Sequence, residues 1–110
     1  MPDLHKFGIM PRTPQKGECF DSYEPRKYGC ISVDGERIDE ILSKLDEIEF
    51  FWHSVDVCGM GIAYCGITLI SPTIAKKMID ILPHDEAFIS LIKLLERAIS
   101  QDKFVIHYGL

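Results

Sequence analysis

The sequence predicts a small α+β domain: a mixed or antiparallel sheet of about four strands with helices packed mainly on one face. Three observations lead there. Apolar residues at helical spacing (Ile38, Ile41, Leu42, Leu45, Ile48) follow an Asp-Gly pair, and two further helical patterns follow later in the chain. Between and around them lie the β-prone runs YGCISV, FFWHSVDV, IAYCGITLIS and FVIHYGL. At 110 residues the chain suits one domain with a single compact core. The expected order is β-α-β-β-α-α-β, carried by residues 28–110 after an irregular N-terminal arm, residues 1–27.

That arm holds four of the six prolines (Pro2, Pro11, Pro14, Pro25) and shows neither helical nor alternating period. Phe7, Ile9, Met10, Phe20 and Tyr23 are its apolar anchors. YGCISV then reads as a strand, and Asp34 as the cap of the first helix. FFWHSVDV reads as the second strand, CGMG as a hairpin turn and IAYCGITLIS as the third strand. Ser71-Pro72 is a helix start, with serine at the cap and proline at the first helical position. That helix presents Ile74, Met78, Ile81 and Leu82 and stops at Pro83. The last helix, about residues 85–101, buries Phe88, Leu91, Ile92, Leu95, Ala98 and Ile99 before the closing strand. The run 62–70 is apolar on both alternations, which marks a central strand covered on both faces. If helices cover only one face, the other needs the arm or a second subunit.

Composition narrows the class of function. Apolar residues make up 46% and charged residues 26%, as in ordinary globular domains. No apolar run approaches the roughly 20 residues of a membrane-spanning helix. MPDLHKFGIMPRTPQ has no signal-type apolar core, so a cytoplasmic protein with reduced thiols is expected. Cys19, Cys30, Cys58 and Cys65 are separated by 10, 27 and 6 residues, without a CxxC or HxxxH pair, so neither a metal set nor a cofactor is indicated.

The segment HSVDVCGMGIAYCG, residues 53–66, gathers the most chemistry-bearing residue types. Its glycines lack the GxxxxGK[ST] pattern and the following helix of a phosphate loop. Cys58 or Cys65 with His53 or His107, the histidine oriented by Asp56, could form a thiol nucleophile and base, although no family-type signature surrounds them. A hairpin accounts for more of these residues: glycines supply the turn, and Gly66 marks a bulge or close backbone approach. His53 and His107 read more simply as hydrogen-bonded strand histidines than as metal ligands. Asp85 and Glu86 read as a helix-start pair rather than an acid–base couple.

Charge is the sharper functional signal. Residues 34–49, DGERIDEILSKLDEIE, carry seven acids (Asp34, Glu36, Asp39, Glu40, Asp46, Glu47, Glu49) against Arg37 and Lys44. This one segment equals the net charge of −5 of the whole chain. Such a balance disfavours direct binding to nucleic acid and favours a basic protein partner on one acidic face.

The stretches KYGCISVDGERIDEIL, FWHSVDV, GIAYCGITLISP and FVIHYG resemble small bacterial immunity proteins of contact-dependent growth inhibition and related polymorphic toxin systems. The likeness spans residues 28–110. It implies a cytoplasmic, non-enzymatic binder that neutralises the toxin domain of a cognate effector, in many systems a basic nuclease and often one acting on tRNA. Some such proteins are homodimers. On the acidic-face reading the partner-binding residues are Glu36, Asp39, Glu40, Asp46, Glu47 and Glu49, with Trp52 and Tyr64 as aromatic anchors. Two alternatives stand beside it: a small cysteine-dependent enzyme using Cys58 or Cys65 with His53, and a structural or regulatory interaction protein without a toxin.

Overall fold

The computed structural model describes residues 4–20, 22–64 and 66–109. The α+β class holds, but the sheet is larger than expected and begins earlier in the chain. Its elements are β1 (Leu4–Ile9), a 3-10 turn (Pro25–Tyr28), β2 (Ile31–Asp34), α1 (Gly35–Leu45), β3 (Glu49–Trp52), β4 (Cys58–Met60), β5 (Ile67–Ile70), α2 (Pro72–Ile81), α3 (Glu86–Ser100) and β6 (Val105–Tyr108). The sheet has six strands in the order β2-β1-β6-β5-β3-β4, and every pairing is antiparallel.

The first correction concerns residues 1–27, which are not irregular throughout. β1 lies inside the sheet, between β2 and β6. Its alternation is real, with His5 and Phe7 fully buried and Lys6 between them. Gly8 interrupts the β-prone pattern because the chain at Tyr28 and Cys30 lies against it, where a Cβ would collide. Pairing on both sides overrides the weak local signal.

The second correction concerns the hairpin. CGMG is not the turn; residues 53–57 are, and Cys58–Met60 form β4 against β3. The turn opens at His53, whose φ is +61°, and the Ser54 hydroxyl accepts from the Asp56 amide at 3.0 Å. Gly59 serves packing, since the Trp52 ring occupies the place a Cβ would take. Gly61 alone of that pair has a left-handed φ (+79°), and it ends β4. After Gly61 the next strand is β5, on the other side of β3. The expected strand at 62–70 therefore shortens to Ile67–Ile70.

The helix starts follow the sequence closely. Asp34 accepts from the Glu36 amide, Ser71 from the Ile74 amide and Asp85 from the Ala87 amide. The helices bury one core against one sheet face, including Ile38, Ile41, Leu45, Ile74, Met78, Phe88, Leu91 and Leu95 with Phe7, Phe50, Ile70 and Val105. Strands β2 and β3 are four positions apart, about 19 Å, and α1 has a rise of about 16 Å. The helix thus bridges the sheet from β2 to β3. Ile67, Leu69, Ile106 and Tyr108 form a second cluster on the opposite face, covered by Met10, Phe20, Tyr28 and Cys30. The N-terminal segment supplies the cover that the doubly apolar central strand requires.

Candidate interaction face

α1 turns Ile38, Ile41 and Leu45 inward, so Asp39, Glu40, Ser43 and Lys44 between them face solvent. Glu36, Asp39, Glu40, Asp46, Glu47 and Glu49 are all exposed. Among the described residues, Glu40 is the one of these six in an ion pair, with Arg37 at 3.5 Å. Arg37 also meets Asp85, and its guanidinium lies 5.7 Å from the Phe88 ring centre. Arg37 is thus shared between Glu40 and Asp85, and with Lys44 as the segment's one other base the strip keeps a net negative charge.

The two aromatic candidates occupy different positions. Tyr64 joins the strip: its hydroxyl donates to Asp39 Oδ1 at 2.6 Å. Trp52 is half-buried, and its indole N–H donates to the Gly61 carbonyl at 2.9 Å while the ring covers Gly59. It clamps β4 onto β3. Asp85 is the cap of α3 and Glu86 its first residue, as expected of a helix-start pair.

The described thiol–imidazole candidates, Cys58 and His53, flank the β3–β4 turn. Cys58 is exposed in β4, and its cross-strand neighbour is Phe51. His53 donates Nδ1–H to the Phe20 carbonyl at 3.1 Å, which ties the β3–β4 turn to the N-terminal cover. Its ring also packs close to Gly66. Cys65 lies outside the described residues. Burial raises the Cys30 thiol pKa to about 11, which favours the protonated thiol at neutral pH.

A polar network that the sequence did not single out lies beneath the strip. His5 Nδ1 and His107 Nε2 are 2.8 Å apart, His107 Nδ1 is 3.0 Å from Thr68 Oγ1, and the Ala63 amide donates to the same hydroxyl at 2.8 Å. His5, His107 and Thr68 are completely buried. The His5 ring meets Tyr64 edge-on at 4.8 Å between centres, so the network reaches Asp39 through one tyrosine. Burial, then the neighbouring His5, lower the His107 pKa to about 3. His107 is thus a hydrogen-bonded core histidine. The available signal for its partner was the alternation of His5 with Phe7.

The strip continues toward one sheet edge. Glu49 opens β3 opposite Met60 of β4, and Asp46 packs against Gly61. Among the described residues, no group of three or more His, Cys, Asp or Glu side chains is arranged to hold a metal ion. No helix among the described residues is long and apolar enough to cross a membrane. No family model, curated protein or solved structure matches the chain.

Proposed function

We propose that the protein is a cytoplasmic immunity protein, a non-catalytic inhibitor that binds a basic toxin domain through the exposed face of α1 and the start of β3. One observation carries this reading: six carboxylates on one continuous strip are exposed, and only one of them is in an ion pair among the described residues. Solubility asks for interspersed charges of both signs, whereas a strip with a strong excess of one sign steers an oppositely charged partner. Carboxylates compete with phosphate for lysine and arginine, which suits inhibition of a nuclease, one acting on tRNA included. The resemblance of residues 28–110 to immunity proteins supports the same conclusion.

The test starts with affinity capture of the tagged protein from its native bacterium and mass spectrometry of what co-purifies. The expected partner is the basic C-terminal domain of a large effector. Lysine substitution at Glu36, Asp39, Glu40, Glu47 and Glu49 together should slow association at low salt by at least about tenfold and flatten its salt dependence. An unchanged association rate in that variant would remove the acidic-face mechanism.

A further inference from the structure

The sheet ends at β4, and this edge differs from an ordinary protected one. Gly61 N–H donates to the Ile48 carbonyl at 2.8 Å, and Trp52 N–H to the Val57 carbonyl at 2.9 Å. With Glu49 opposite Met60 and Phe51 opposite Cys58, the antiparallel alternation aims the amides and carbonyls of Cys58 and Met60 away from β3. Val57 and Met60 are 50% and 55% exposed, two large apolar side chains within four residues of an open edge. Edge strands are commonly blunted by lysine, proline or a covering segment. Residues 57–61 contain neither lysine nor proline.

We propose that β4 is a docking edge that takes an extended segment of a basic partner as a seventh strand. Hydrogen bonds would form to the backbone of Cys58 and Met60, with apolar contacts to Val57 and Met60. Charge selects this occupant over a second copy of the chain. Asp46 and Glu49 adjoin the edge, so two copies meeting there would oppose like charges, while lysine or arginine beside the incoming strand would be neutralised. The rigid backing of β4 also favours addition: the Trp52 ring lies on Gly59 and holds the strand in place before a partner arrives. The positive charge of the occupant rests on the acidic-face reading; the open backbone groups do not.

The test needs no toxin, so its failure is distinct from failure of the immunity reading. The probe is a short capped peptide of alternating lysine and valine, compared with its backbone N-methylated form and with a glutamate–valine counterpart. Trp52, the single tryptophan, reports binding by fluorescence, and hydrogen exchange reports the Cys58 and Met60 amides. Saturable binding of the lysine peptide alone, with protection of both amides, is the expected result. Met60→Pro removes one outward donor and leaves the inner ladder intact, and should weaken binding about tenfold. If that variant does not fold, Met60→Lys, which places a like charge on the edge, should weaken binding in its stead. Absence of saturable binding would overturn the proposal, as would equal binding of the N-methylated or glutamate peptide or insensitivity to the folded Met60 variants. Amide protection that rises with protein concentration without peptide would make the occupant a second copy and overturn it as well.

Discussion

His107 shows how much one buried side chain couples to its surroundings. Its ring bridges His5 and Thr68, and the two imidazoles share a single hydrogen bond that a neutral pair can make. The folded protein holds its pKa at about 3, below the ordinary 6.5 expected of the unfolded chain. Between these values the unfolded state binds the extra proton, so stability rises with pH across that window. The full contribution is present above about 6.5 and is lost as the pH falls toward about 3. The slope reaches about 1.4 kcal/mol per pH unit. Urea unfolding at pH 7 and pH 5 should therefore show a lower midpoint at pH 5, in a range where most carboxylates remain ionised. His107→Gln should flatten that difference; an undiminished difference would place the proton elsewhere. The histidine itself was readable as a hydrogen-bonded strand residue. Its partner was not, because His5 lies 102 positions away in the chain and meets it only through the pairing of β1 with β6.

At the scale of elements, the helices were legible and the hairpin was not. Caps and apolar spacing act within one or two turns, so Asp34, Ser71 and Asp85 marked their helices directly. Asp85 has a second role that spacing could not show. One oxygen caps α3 and the other receives Arg37 from α1, which ties two helices at one carboxylate. Asp85→Ala should cost about 1–2 kcal/mol in chemical denaturation, mostly from the cap, since an ion pair this exposed adds little. Asp85→Asn keeps the cap and should recover most of the loss. A full loss in the asparagine variant would assign the energy to Arg37 instead. The β3–β4 turn misled for the opposite reason. Its glycines suggested a turn, but Gly59 is required by the Trp52 ring across the strand, a contact invisible until the two strands pair. Cys58 sits on the open edge and His53 faces the N-terminal cover, placements fixed only once the strands pair.

On the scale of the whole molecule, the N-terminal segment changes most in meaning. β1 bonds to β2 on one side and β6 on the other, and the chain after it roofs the second core cluster with Met10, Phe20 and Tyr28. Deleting residues 1–9 would unpair both neighbours and remove the buried His5 and Phe7. Such a truncation should lose cooperative unfolding and near-UV circular dichroism; a truncated chain with native spectra would show β1 to be dispensable. The acidic strip was fully legible, because seven acids in sixteen residues remain exposed wherever the helix packs. Its extension to the β4 edge was not, since that edge exists only once β3 is flanked by β5 and β4.

The sequence by itself determined the α+β class, the three helices with their caps, the charge of the outer face and the need to cover both sides of the central strand. Each of these depends on side-chain type, spacing or contacts within a few residues. Tertiary structure alone decided that the cover comes from Met10, Phe20, Tyr28 and Cys30, that β1 enters the sheet interior, and that β4 forms its edge. Those outcomes depend on backbone hydrogen bonds between distant strands, whose partners are chosen by the whole core rather than by any local run of residues.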